Sequence, residues 1–159
     1  MRLEAGGCMK VKMTIDDAQL KIALKKINFG KQDLLDIEGA GAYVVVNGER
    51  MRVPVQTSAT RNSIKPHIIE ADDNHVVDEV GPETDYALYL EYGTGIYAEG
   101  GKGRQTPWTY YSDKLGRFVT TSGMKAQPFI RPTAEEDKDK VQAAVSAAFG
   151  AIVRERWPR

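Results

Sequence analysis

The sequence predicts a protein of the α+β class, with helices towards both ends of the chain and short strands between them. Apolar residues recur at three- and four-residue spacing near the N-terminus and again after Thr133. Between these regions, β-branched and aromatic runs are joined by residues that are typical of hairpin turns. The length of 159 residues suits one domain. We therefore expect N-terminal helices and a long C-terminal helix around a small antiparallel sheet.

Composition and charge restrict the class of protein. Lys and Arg total 22, as do Asp and Glu, so the net charge of zero disfavours a protein whose main task is to hold nucleic acid. The one cysteine, Cys8, excludes an intramolecular disulfide. No apolar run approaches the ~20 residues of a membrane span. Residues 1–13 are predicted to be a flexible leader and residues 14–159 a single domain.

Two helices are predicted in the N-terminal part. Thr14 is a good N-cap, and the apolar spacing after it predicts a helix over residues 15–28. A second segment, residues 33–47, also has one apolar face, although residues 43–46 favour a strand by propensity alone. We expect a helix there, which Asn47 and Gly48 end.

The middle of the chain is predicted to hold a hairpin. Residues 67–70 and 76–80 have the composition of strands, and residues 72–74 between them supply turn chemistry. Residues 58–63 are expected to form a polar turn. Residues 85–92 fit either a short helical turn or a strand.

Residues 93–126 differ from the rest because glycine and polar residues dominate and the apolar periodicity lapses. Within them, residues 108–111 and 117–120 are strand-like. Residues 112–116 join these two runs, and Gly116 is able to adopt a positive φ. We expect an extended glycine-rich loop that contains a hairpin and projects as an arm.

The clearest helix signal lies near the C-terminus. Residues 128–130 are expected to form a short extended piece. Thr133 and Glu136 then have the spacing of a capping box, in which each side chain bonds a free backbone N–H group. This pattern predicts a long helix over residues 134–156.

A catalytic constellation is not evident. His67 and His75 lie on or beside the predicted hairpin, but their spacing matches no usual zinc pattern, so a polar hairpin end is preferred. The glycines of residues 93–95 and 100–103 suggest a phosphate loop, yet no hydroxyl follows Lys102 and no helix begins there. We expect no enzyme activity, no bound cofactor and no metal.

The predicted arm is rich in aromatic and basic side chains that suit an interface. The candidates for subunit contact are Lys102, Arg104, Trp108, Tyr110, Tyr111, Arg117 and Phe118. Tyr, Trp and Arg are enriched in protein–protein interfaces. The same residues also suit a nucleic-acid-binding module, in which bases stack on the aromatic rings. The balanced net charge favours the protein interface.

Three segments, taken in order, resemble one known family. They are residues 54–64, 86–95 and 126–133. Their marker residues are Pro54, Arg61 and Ser63 in the first, Tyr86, Glu91, Gly93 and Thr94 in the second, and Pro128 and Phe129 in the third. This arrangement is similar to that of the gene-product-10-like family of tailed-phage proteins, which are tail components or head–tail joining and tail-completion proteins. The resemblance covers about residues 14–156.

The resemblance implies helices packed on an antiparallel sheet and a structural role in the virion of a tailed phage or prophage. It implies a subunit of a ring at the head–tail junction or the top of the tail, in about six or twelve copies. The implied partners are further copies of the chain, other neck and tail proteins, and DNA that passes through the lumen without sequence specificity. Assembly would take place in the bacterial host cytoplasm. The family brings no catalytic residues, no small-molecule substrate and no membrane.

Overall fold

The computed structural model describes residues 2–4, 10–14, 29–54 and 58–156. The described helices are α1 (Lys31–Arg52), α2 (Ser58–Ser63), α3 (Ala87–Tyr92), α4 (Ile130–Glu136) and α5 (Lys138–Arg156). The described strands are β1 (Arg2–Glu4), β2 (Lys10–Thr14), β3 (Lys65–Ala71), β4 (Val76–Gly81), β5 (Trp108–Ser112) and β6 (Arg117–Thr121). The helix predicted over residues 15–28 lies outside the described residues.

The strands confirm the predicted α+β class. One antiparallel sheet has the order β1-β2-β4-β3, and among the described strands β5 pairs only with β6, in a separate hairpin. The predicted central hairpin is β3–β4, where the Asp72 carboxylate accepts the backbone N–H groups of Asn74 and His75 at 2.6 and 2.8 Å. The predicted arm hairpin is β5–β6. The flexible leader expected at residues 1–13 differs from the structure, which pairs β1 and β2 with the sheet.

Strand β3 forms one edge of the described sheet. Pro66 lies on this edge strand, where proline is tolerated, and the register shifts between Ile68 and Glu70. Both features disfavour pairing of this edge with another strand. β4 is an inner strand, and its Val76 and Val80 side chains are buried.

Helix α1 crosses the sheet and supplies much of the core. Its apolar face buries Val45 and Val46 against Phe129 and Ile130 of the α4 region. At its start, the Asp33 carboxylate accepts the Gly30 N–H at 2.9 Å, as is typical of a helix N-terminus. The predicted stop at Asn47 and Gly48 is wrong, because α1 continues to Arg52.

Gly48 is used for close helix packing and does not end the helix. A Cβ atom at this position would collide with the Asp137 carboxylate and would lie 2.7 Å from Thr133 Cγ2. The missing side chain therefore allows α1 to approach the junction of α4 and α5. There, Arg52 Nη1 donates to Asp137 Oδ2 at 2.6 Å, a hydrogen bond that lowers the pKa of the Asp137 carboxyl.

Helices α1 and α5 run antiparallel and are joined at both ends. Near the start of α1, Arg156 Nη1 donates to Asp33 Oδ2 at 2.6 Å. The rings of Phe29 and Phe149 also meet near this end, with centroids 6.0 Å apart. The Arg52–Asp137 ion pair lies at the other end, so the two helices are held in register along their length.

Four further predictions need correction. Residues 58–63 form helix α2 and not a polar turn, and residues 128–130 do not remain extended because α4 begins at Ile130. Thr133 lies inside α4, where its hydroxyl donates to the Phe129 carbonyl at 2.7 Å and does not cap a helix. The predicted long helix is interrupted at Asp137, whose φ of −96° and ψ of 4° separate α4 from α5.

We expect Gly48→Ala to lower the free energy of unfolding by about 1–3 kcal/mol, because the new methyl group would overpack the α1–α4 contact. Gly39→Ala is the matched control, since Gly39 lies in the same helix and a Cβ atom there would have no described atom within 4 Å. This control should raise stability by about 0.5–1 kcal/mol through helix propensity. Urea unfolding of both variants measures the difference, and a stabilised Gly48→Ala would contradict the packing role.

Candidate interaction arm and its base

The arm of residues 93–126 leaves the domain through a stem made of two chain segments. Thr94 N–H donates to the Met124 carbonyl at 2.8 Å, and Ile96 N–H donates to the Ser122 carbonyl at 3.0 Å. The Thr94 hydroxyl in turn accepts the Met124 N–H at 3.0 Å. The entering and leaving segments are therefore hydrogen-bonded to each other, so the base of the arm has a defined geometry.

Glycine makes this close approach possible. Gly93 has a φ of 75°, and a Cβ there would lie 2.8 Å from the carbonyl oxygens of Met124 and Tyr97. Gly95 has a φ of 61°, and a Cβ on it would collide with the Ser122 carbonyl. A larger residue at either position would force the two segments apart. The glycines thus shape the stem, and a phosphate-binding role is not needed to account for them.

A buried carboxylate connects the stem to helix α4. Glu91 is completely buried, and its two oxygens accept the backbone N–H groups of Phe129, Ile130 and Arg131 at 2.8, 3.0 and 3.0 Å. These N–H groups belong to the start of α4, where no partner exists within the helix. The carboxylate thereby caps a helix that begins about 40 residues further along the chain.

Arg131 completes this site, and the sequence did not single it out. Its Nε donates to Glu91 Oε1 at 3.1 Å, and its Nη1 lies 2.9 Å from Glu99 Oε2 in the arm. The guanidinium also lies 5.0 Å from the centre of the Tyr92 ring. The Arg131 side chain therefore joins α4, α3 and the arm. In the sequence, the one signal for this residue was its position within the third resemblance segment.

The remaining marker residues lie in the core, at or beside helices, or on the surface. Phe129 is fully buried in the core, whereas the neighbouring Pro128 is exposed. The Ser63 hydroxyl donates to the Thr60 carbonyl at 2.9 Å and accepts the Glu83 N–H at 3.3 Å. Tyr86 lies at the start of α3, Arg61 is exposed on α2, and Pro54 follows α1.

The outer part of the arm presents an aromatic surface. Tyr110, Tyr111 and Phe118 are exposed on β5 and β6, and Phe118 retains 74% of its accessible surface. The rings of Tyr111 and Phe118 pack edge to face across the hairpin, with centroids 5.3 Å apart. Leu115 in the connecting turn is also exposed. An apolar cluster of this kind on a projecting hairpin is typical of a contact surface.

The basic candidates are distributed unevenly over the arm. The Arg104 guanidinium lies 5.5 Å from the centre of the Trp108 ring, and Trp108 itself is half-buried. One face of that ring is therefore occupied by the chain's own cation. Arg117 is exposed beside Phe118, whereas Lys102 is exposed near the stem. The structure thus pairs Tyr111 with Phe118 on one face of the β5–β6 hairpin. It places Tyr110 and Arg117 on the other face, because side chains alternate along a strand, and it does not place Lys102 with either pair.

Helix α1 carries buried carboxyl groups that sequence reasoning missed. Glu49 is completely buried, neither of its side-chain oxygens has a hydrogen-bond partner among the described residues, and burial together with the nearby Glu91 raises its pKa to about 9. Glu38 faces Asp78 of β4, and both are buried. Burial raises the pKa of each, and the charge of Asp78 raises that of Glu38 further. Acidic residues on the apolar face of α1 were the signal in the sequence.

Both histidines contact carboxylates at or near the β3–β4 hairpin. His75 lies between Glu70 and Asp72, with ring nitrogens 2.9 and 3.0 Å from their carboxylate oxygens. His67 of β3 contacts Glu83, which follows β4, at 3.0 Å. Within the described part of the chain, no group of three or more His, Cys, Asp or Glu side chains is arranged so that it could hold a metal ion. None of the described helices is long and apolar enough to cross a membrane.

We expect Glu91→Ala to lower the free energy of unfolding by about 3–5 kcal/mol, because three buried N–H groups and the Arg131 guanidinium would lose their acceptor. Glu99→Ala is the control, since it removes the exposed partner of the same Arg131 and should cost less than about 1 kcal/mol. Chemical unfolding of both variants measures the two losses of free energy of unfolding. Equal losses in the two variants would mean that Glu91 is not the organising acceptor.

The buried Glu49 predicts a pH-dependent stability. The pKa of Glu49 is about 9 in the folded chain, above the ordinary value of 4.5. Between pH 4.5 and about pH 9, therefore, the Glu49 carboxyl is protonated in the folded state and ionised in the unfolded state. Stability from this group is present below about pH 4.5 and is lost as the pH rises through about 9. Its contribution to the slope is at most about 1.4 kcal/mol per pH unit.

Glu49→Gln stays uncharged, so the variant should gain stability relative to the unmodified chain as the pH is raised from about 6 to about 8. Urea midpoints of both chains over this range give the comparison. A difference between the two chains that did not change with pH would show that Glu49 does not hold its proton in the folded state.

Comparison of the chain with models of protein families, with curated proteins and with solved structures finds no significant match to any of them. Function is therefore inferred from the geometry of the arm and its base, together with the resemblance carried by the three segments.

Proposed function

We propose that the chain is a structural virion protein of a tailed phage or prophage, which forms a ring at the head–tail junction or the top of the tail. The observation that carries the proposal is the arm, a hairpin with exposed aromatic side chains on a hydrogen-bonded stem. Two of the three resemblance segments meet at that stem, since Glu91 of the second accepts N–H groups from residues 129–131 of the third.

The exposed surface of the arm favours a role in assembly. Tyr111, Leu115 and Phe118 remain more than half exposed in the single chain. Burial of such side chains against a partner contributes roughly 1.5–3 kcal/mol each before the cost of association. Aromatic residues with a neighbouring arginine are also the side chains that dominate binding energy in protein interfaces.

The size of the subunit supports a ring. A single domain of this length has a radius of gyration of about 15 Å and encloses no channel for DNA. Several copies are needed to surround a lumen, and contacts between unlike surfaces close into a ring when the rotation between subunits closes. In that arrangement the protein acts by shape and contact, and the proposal includes no catalytic step.

A nucleic-acid-binding module is the second candidate. Tyr110 and Tyr111 are exposed near Arg117, so bases could stack on the rings while the guanidinium contacts phosphate. Against this candidate, Arg104 already covers one face of Trp108. Single-stranded DNA binding at about 50 mM salt that weakens steeply with added salt would support the module.

We expect Tyr111→Ser combined with Phe118→Ser to abolish assembly without unfolding the domain, because both side chains are exposed in the single chain. Light scattering coupled to size exclusion should give a monomer mass for the variant, and heads and tails supplied with it should fail to join. Tyr89→Ser on α3 is the control, since it removes a similarly exposed tyrosine away from the arm. Infectious particles assembled from the double variant would refute the role of the arm.

A further inference from the structure

A shallow concavity of about 810 Å³ lies between the C-terminal half of helix α1 and helix α2. Its polar lining consists of two arginines and two asparagines, which are Asn47 and Arg50 of α1 and Arg61 and Asn62 of α2. Among the described residues, no carboxylate lines this α1–α2 concavity. The four side chains offer several N–H donors and two positive charges, and this is the chemistry that binds an oxyanion.

Local structure brings these side chains to one place. Asn47 and Arg50 are three residues apart in α1, so they are neighbours on the same face of the helix. Arg50 Nη2 donates to the Ile64 carbonyl at 2.8 Å, which holds the guanidinium beside the residue that follows α2. The exposed Arg61 and Asn62 lie in the last turn of α2. Part of the donor set is therefore ordered before any ligand arrives, which lowers the entropy cost of binding.

The two arginines of the α1–α2 concavity have no carboxylate partner in the described part of the chain. Arg50 forms one hydrogen bond, to a carbonyl, and Arg61 forms no hydrogen bond or ion pair with any described residue. The adjacent Glu49 does not neutralise them at neutral pH, because burial raises its pKa to about 9. Three other arginines do pair with carboxylates, namely Arg52, Arg131 and Arg156. The concavity is therefore locally positive in a chain whose net charge is zero.

The open shape of the α1–α2 concavity favours a phosphate of a nucleic-acid backbone over a free ion. Arg61 and Asn62 are exposed, and Met51 in the same lining retains 82% of its accessible surface. Sites for small ligands bury most of the ligand surface, whereas a phosphodiester chain can enter and leave an open surface. Tyr43 also lines the concavity and is 70% exposed, so its ring is available to pack on a sugar or a base.

We propose that the α1–α2 concavity binds a phosphate of a nucleic-acid backbone, with the guanidinium groups of Arg50 and Arg61 on its oxygens and the amides of Asn47 and Asn62 as further donors. Contacts to phosphate carry no sequence information, so the binding is independent of sequence. The site belongs to the single chain and uses neither the arm nor a contact between subunits, so it goes beyond the proposed function.

Fluorescence anisotropy with a short labelled DNA duplex of mixed sequence tests the site on the full chain, at about 50 mM salt. Arg61→Glu reverses one charge, and Asn62→Asp adds a negative charge with almost no change in size. Both wild-type side chains are exposed, so the variants should stay folded. Arg154→Glu is the matched control, since Arg154 is also an exposed arginine in the last turn of a helix. Arg117→Glu tests the arm as the other nucleic-acid surface.

We expect the unmodified chain to bind the duplex, and Arg61→Glu and Asn62→Asp each to weaken binding by about tenfold or more. In Arg61→Glu, the slope of log affinity against log salt should also become shallower by about one. Arg154→Glu should stay within about twofold of the unmodified chain, because a distant exposed charge is screened. Absence of duplex binding, equal losses in Arg61→Glu and Arg154→Glu, or a loss confined to Arg117→Glu would overturn the proposal.

Inorganic phosphate distinguishes the two sources of the phosphate group. Thermal unfolding is measured in phosphate and in chloride at matched ionic strength, for the unmodified chain and for Arg61→Glu. Stabilisation by phosphate that Arg61→Glu removes, together with no duplex binding, would assign the site to a free ion and overturn the backbone proposal. Light scattering on the same samples reports the ring separately, so a ring that fails to bind the duplex would overturn the site and leave the proposed function standing.

Discussion

The carboxylate of Glu91 determines how the second half of the chain is arranged. It accepts three successive backbone N–H groups, of Phe129, Ile130 and Arg131, and receives a fourth hydrogen bond from the Arg131 guanidinium. A helix start has free N–H groups and a positive dipole end, so a carboxylate placed there satisfies both. Because Glu91 lies two residues before Gly93, one side chain positions both the exit of the arm and the first turn of α4.

The remaining helix packing follows from that position. Once α4 begins at Ile130, Thr133 and Asp137 lie against Gly48, and the absence of a Cβ there lets α1 approach. Asp137 then accepts Arg52, and α5 runs back along α1 until Arg156 reaches Asp33. The two ion pairs set the register of α1 and α5, while the apolar core around Val45 and Phe129 supplies the burial that stabilises the contact.

Elements whose signals are local could be predicted from the sequence. Both hairpins were found because strand composition and turn residues lie within a few positions of each other. The start of α4 was missed because its cap comes from Glu91, 38 residues before Phe129, and no local pattern encodes that contact. The end of α1 was missed for a similar reason, since Gly48 is a helix stop by propensity and a packing site in tertiary context. The aromatic residues of the arm were found by composition, whereas Glu38 and Asp78 meet only through the pairing of α1 with β4.

The stem and the tip of the arm have opposite physical properties, and the combination favours assembly. The stem is held by backbone hydrogen bonds between residues 94–96 and 122–124, so little conformational freedom is left to lose there on binding. The tip keeps its apolar side chains exposed, which is unfavourable for a protein that remains alone in water. A protein partner that covers the tip would remove this cost, and the ordered stem would keep the entropy lost on binding small, so the two parts of the arm complement each other in a contact surface.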